Sequence, residues 1–149
     1  MSRKEFAKRI NSDEIAGRVI RLCAVFEDRL NNVLTEYFAL HDRWGDFHEH
    51  ILERMSLIQK LDMLQKLDFG NGSRSRTNFV ASLKSLRKLR NVMAHSYSVH
   101  NEDELTKLYS DQHIRKWILN YPKSLSDEKR NMEVRTSKLW HFAHATRKP

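Results

Sequence analysis

Cysteine is almost absent. Cys23 stands alone, so an intrachain disulfide cannot form and the cysteine-rich zinc patterns are excluded. Beside Leu22 in an apolar helical pattern, it reads as an inert buried thiol. Proline is confined to Pro122 and Pro149, and glycine to Gly17, Gly45, Gly70 and Gly72. So few breakers, among abundant Leu, Lys, Arg and Glu, favour long helices over many short strands. No stretch approaches the roughly 18 continuous apolar residues of a membrane span, so no membrane partner is expected. The opening residues mix basic and acidic side chains without an apolar centre, unlike a secretory signal, which makes the cytoplasm the expected location. Walker-type phosphate loops, dinucleotide fingerprints, zincin motifs and serine-hydrolase elbows are all missing. Neither a cofactor nor a bound metal is therefore expected.

What the chain does have is charge and length. Twenty-seven basic residues against nineteen acidic ones give a formal charge of +8. That excess favours an anionic partner, nucleic acid or an acidic protein, over a neutral one, although a solvated basic surface is the plainer reading. With 149 residues, 40% of them hydrophobic, the chain can bury a core as one domain over 1–149, with flexible ends.

The spacing predicts five amphipathic helices and an all-α, antiparallel bundle of four to five helices. The first runs from about Asp13 to Leu40, capped by Asn11 or Ser12, with Ile15, Val19, Leu22, Phe26, Leu30, Val33 and Tyr37 as its buried stripe. Gly17 would permit a close crossing. A second covers Phe47 to Leu67, burying Ile51, Met55, Ile58, Leu61 and Leu64. Asp68 to Ser73 combines turn-forming side chains with flexible backbone. A third helix spans about Thr77 to Ala94 or His95, with Phe79, Leu83, Leu86, Arg90 and Met93 sharing one face. Asn101 or Asp103 caps a fourth, Leu105 to Asn120, and Pro122 interrupts before a fifth, Ser126 to His144. Arg147 to Pro149 reads as a frayed tail.

Arg90 is the oddity, because it occupies a position that its neighbours assign to apolar residues. A guanidinium cannot shed its charge there, so it must snorkel, form a structural salt bridge or bind an anion. His95 follows five residues later, about 140° around the axis, so one ideal helix does not bring the two together. Asn91 is better aligned with His95 and can orient the imidazole or contact a phosphate. Lys84, Arg87 and Lys88 supply positive charge around this face, and Arg74 and Arg76 near the helix start can help hold an anion. Taken singly, each is more often a solubilising side chain. Tyr97 reads as a ring covering the core, and His100 as a loop histidine without function rather than a second titrating group. His48 and His50 face apart on a helix. His141 and His144 are better spaced, but one such pair is only a weak metal signal.

The segment Leu86 to His95 (LRKLRNVMAH) resembles the signature of the HEPN superfamily, the higher-eukaryote and prokaryote nucleotide-binding domains. That signature is an arginine, usually a polar residue, then a histidine after a short interval, matched here by Arg90, Asn91 and His95. The likeness covers about Asp13 to Asn120 and, around Phe26–Leu40 and Arg90–His95, is similar to the bacterial mannitol operon repressor-like branch. It implies a HEPN-like bundle and, in many members, a homodimer that gathers two motifs into one cleft through the motif-bearing helix. It further implies metal-independent RNA cleavage to 2′,3′-cyclic phosphate and 5′-hydroxyl ends, in which Arg90, Asn91 and His95 are catalytic and Lys84, Arg87, Lys88, Arg74 and Arg76 form the RNA-binding track. The alternatives are a non-catalytic regulatory or interaction protein of the repressor-like type, or the toxin half of a toxin–antitoxin pair, with an antitoxin or regulatory protein as partner. A helix-turn-helix reader is not expected, since the turn near Gly70 is long and the following helix strongly apolar.

Overall fold

A computed structural model describes residues 3–95 and 101–147, with His95 described in its backbone alone. Tyr97, His100, Lys148 and Pro149 lie outside the described residues. Among those described there are eight α-helices and no strand: α1 (Arg3–Ile10), α2 (Asp13–Phe38), α3 (Trp44–His50), α4 (Leu57–Lys66), α5 (Ser73–His95), α6 (Glu102–Ser110), α7 (Gln112–Leu119) and α8 (Lys123–Thr146). The all-α expectation holds. The helix count exceeds four to five because one helix was not foreseen and two foreseen helices each divide.

The unforeseen one is α1, whose Phe6 and Ile10 are fully or almost fully buried. Two apolar residues four apart are too brief a pattern to stand out from a flexible terminus. The first division falls at Ile51–Ser56. Ser56 accepts from Gln59 N while the Gln59 side chain accepts from Ser56 N, a complete capping box that starts α4. The apolar register restarts there. Leu52, Leu57, Leu61 and Leu64 are buried, whereas Ile51, assigned to the core by a continuous helix, is 48% exposed. The second division falls at Asp111, whose carboxylate accepts from His113 N and Ile114 N and so starts α7.

Elsewhere the pattern holds. Ile15, Val19, Leu22, Phe26, Leu30 and Val33 of α2 are buried, as is Cys23. Ser12 accepts from Ile15 N at 3.4 Å, and Asn101 caps α6 through Asp103 N and Glu104 N. Gly17 mediates no close crossing, because a Cβ there would meet nothing within 4 Å. Helix α5 starts at Ser73, before the expected Thr77. Asp68 Oδ1 accepts from Gly70 N, and Gly70 has φ 51°, a left-handed conformation that suits glycine.

By its internal contacts the chain forms two compact units, Met1–Ala24 with Ser82–Asn131, and Val25–Ala81 with Met132–Pro149. In the first, α1 packs on α6 and α7. Arg9 donates to the Ile118 and Leu119 carbonyls at 3.0 and 2.9 Å, closing the C-terminus of α7. In the second, Phe26 meets Phe79 edge-on, and Phe69 lies between Tyr37 and Phe142. There the buried Lys60 ammonium is 3.4 Å from Glu27. No helix among the described residues is long and apolar enough to cross a membrane.

Candidate functional site

In the first unit, the C-terminal half of α5 buries Ser82, Leu83, Ser85, Leu86 and Leu89. The stripe then leaves the interior: Arg90, Asn91, Val92 and Met93 are all half-buried. Arg90 thus sits at the rim of the core, a position that lets an arginine stem cover apolar surface while its charged head stays hydrated. Its Nε and Nη2 donate to Asn91 Oδ1 at 3.3 and 2.9 Å. Among the described residues it makes no ion pair with a carboxylate. A neutral amide oxygen fixes the fork without cancelling its charge, which remains available to an anion. Asn91 is therefore turned toward Arg90 through its carbonyl oxygen. His95 is the last residue of α5, and its side chain lies outside the described residues.

The basic residues expected to form a track divide between the two units. Lys84 and Lys88 are exposed and Arg87 is half-buried, all on the first unit's part of α5. The Lys88 ammonium is 3.7 Å from Asp111. Arg74 is exposed in the first turn of α5, in the second unit. Arg76 is committed locally: its guanidinium donates to the Leu67 carbonyl just past α4 and is half-buried. It closes a helix end there, which is a structural task.

A polar cluster beside Lys88 went unforeseen. The Ser85 hydroxyl donates to Asp111 Oδ2 at 2.9 Å and lies 3.3 Å from His113 Nδ1, while the His113 ring stacks on Trp117. This is not a hydrolytic triad. Asp111 binds the serine and two backbone amides rather than the histidine, and Ser85 is only 8% exposed. The sequence signal was an aspartate three residues before Ile114, in N-cap spacing, concealed by reading one helix across it. The apolar stripe of α5 is spent within the chain. Phe79, Leu83, Leu86 and Leu89 are already buried within the chain and need no second copy to cover them.

No protein-family model matches this chain, no curated protein matches its sequence, and no solved structure matches its fold. The class that fold and site define is accordingly an all-α protein with an amide-held arginine at the rim of its core.

Proposed function

We propose that the chain is a metal-independent endoribonuclease of HEPN type, acting through Arg90, Asn91 and His95. The observation that carries this reading is Arg90 itself, a half-buried residue whose guanidinium is fixed by a neighbouring amide and paired with no carboxylate among the described residues. A structural salt bridge would have consumed that charge. In the proposed reaction the RNA 2′-oxygen attacks the adjacent phosphorus and the bond from phosphorus to the 5′-oxygen breaks. The proton leaves the 2′-hydroxyl and the 5′-oxygen gains one, giving 2′,3′-cyclic phosphate and 5′-hydroxyl ends. His95 serves one of these proton transfers. Arg90 stabilises the charge that builds on the nonbridging oxygens, and Asn91 holds Arg90 in place. DNA lacks the 2′-hydroxyl and is not a substrate.

Residues five apart on one helix point about 140° away from each other. The proposal therefore includes a homodimer in which Arg90 of one copy and His95 of the other face a shared phosphate. The net charge of +8 supports RNA as the anionic partner.

A second reading, an interaction protein without catalysis, is favoured by the second unit. There Phe38, Leu40 and Ile51 are 46%, 63% and 48% exposed around one cavity also lined by Phe47, apolar surface that suits a protein partner. One experiment separates the two. Wild type, Arg90→Ala and His95→Ala, purified identically, are incubated with mixed single-stranded RNA in excess chelator and the new ends resolved. Catalysis requires cleavage by the wild type, with cyclic phosphate ends, and none by His95→Ala. Equal cleavage by all three, or none by any, removes the nuclease.

A further inference from the structure

Glu36, near the end of α2 in the second unit, is an anomalous charge among the described residues. Its side chain is 0% exposed, yet its Oε2 has no hydrogen-bond partner among the described residues. Oε1 is crowded instead: His144 Nδ1 lies at 2.9 Å, Arg147 Nη1 at 3.3 Å and His41 Nε2 at 3.9 Å. Burying a carboxylate with one oxygen unsatisfied is costly, a cost that a cation gripping both oxygens offsets. One ligand atom from each of Glu36, His41 and His144 lies within 4.8 Å of the others. Zinc holds imidazole nitrogen and carboxylate oxygen at about 2.0–2.2 Å in a tetrahedron, so its ligand atoms sit roughly 3.3 Å apart. His144 Nδ1 and Glu36 Oε1, hydrogen-bonded at 2.9 Å, need only part slightly to reach that spacing. His41, on the short turn His41–Arg43 with a side chain 70% exposed, has room to close on them.

We propose that Glu36, His41 and His144 form a binding site for a zinc-class divalent cation, with the fourth position left to water. Two imidazoles and one carboxylate suit zinc or a neighbouring transition metal better than magnesium or calcium, which prefer oxygen ligands throughout. The ion would join the end of α2, the turn that follows it and the last turn of α8. Two tryptophans support the ligands: Trp140 stacks on His144 at 5.0 Å, and Trp44 meets His41 edge-on at 5.6 Å. Arg147, only 17% exposed, is the competitor. Its guanidinium neutralises the oxygen that the metal requires, so binding must displace it. The site is independent of the proposed cleavage, which runs in chelator and uses residues of the other unit.

The test uses tag-free full chain stripped with chelator, titrated calorimetrically with Zn²⁺ and followed with Co²⁺ as a coloured substitute. The expected result is one ion per chain, with intense visible absorption from tetrahedral cobalt. Affinity should fall at least about tenfold in His144→Ala, His41→Ala and Glu36→Gln, and rise in Arg147→Ala. Should Glu36→Gln fail to fold by circular dichroism, the exposed His41 carries the test. Absence of saturable binding near one equivalent overturns the proposal. So does unchanged binding in the His41→Ala/His144→Ala double variant, which would move the ion elsewhere, for instance to His48 and Glu53, 3.7 Å apart.

Discussion

Arg90 donates two hydrogen bonds to the side-chain oxygen of its own neighbour, Asn91. The pairing makes the two residues a unit: the amide sets the plane of the guanidinium, and the guanidinium uses up the amide oxygen. An arginine presented this way offers its remaining N–H groups in a fixed fork, which an ammonium cannot imitate.

Arg90→Lys is accordingly expected to keep the charge and lose most of the cleavage, by about 10²-fold or more in single-turnover rate. Asn91→Ala, which frees the fork without removing it, should lose less, about tenfold. Because both side chains are half-buried, thermal melting of the two variants should stay within a few degrees of wild type. A large drop in melting temperature with proportional loss of activity would instead make the pair a structural element.

RNA affinity should depend steeply on salt, because displaced counterions drive binding to phosphates. Measured with the uncleaving His95→Ala chain, Arg87→Ala should lower the slope of log affinity against log salt by about 0.7. Arg76→Ala should leave that slope unchanged and lower stability instead, since its guanidinium holds the Leu67 carbonyl. Fluorescence anisotropy across a salt series reads the first, and urea denaturation the second.

Asp111 has two structural duties, capping α7 and accepting from Ser85. Asp111→Ala should cost about 1–2 kcal/mol in urea denaturation. Asp111→Asn, whose amide oxygen can still cap, should cost less than half of that. The Lys88 ion pair adds little to either figure, as the Lys88 side chain is 48% exposed.

The break between α3 and α4 has an energetic signature. Leu61→Ala, at a fully buried position, should destabilise by about 2–5 kcal/mol. Ile51→Ala should stay within about 0.5 kcal/mol, where one continuous helix would have made the two losses similar.

The helices legible in the sequence were those whose apolar stripe runs uninterrupted. Asp13 starts α2 as read, and Phe26, Leu30 and Val33 are buried as their spacing required. The breaks at Ser56 and Asp111 were hidden because the apolar pattern resumes soon after each cap, so periodicity alone reads through them. Arg147, taken for part of a frayed tail, is held against Glu36. Contacts between residues 111 positions apart leave no local trace. Of the candidate site, Arg90 was legible as a charge in an apolar register, and its rim position explains how that register tolerates it. The choice of Asn91 oxygen over a carboxylate was not legible, because it depends on rotamers and on which acidic residues the fold brings near. Glu36, His41 and His144 escaped for a similar reason. His144 was weighed with its helical neighbour His141, while the carboxylate it contacts, Glu36, lies on a distant helix.

Each compact unit is assembled from separated stretches of chain, and α2, α5 and α8 each contribute residues to both. No single cut in the gene can release either unit as a continuous polypeptide, and any truncation that removes one also beheads three helices of the other. Dissection by fragments is thus closed for this molecule. Point substitutions in the intact chain are the scalpel that its topology leaves.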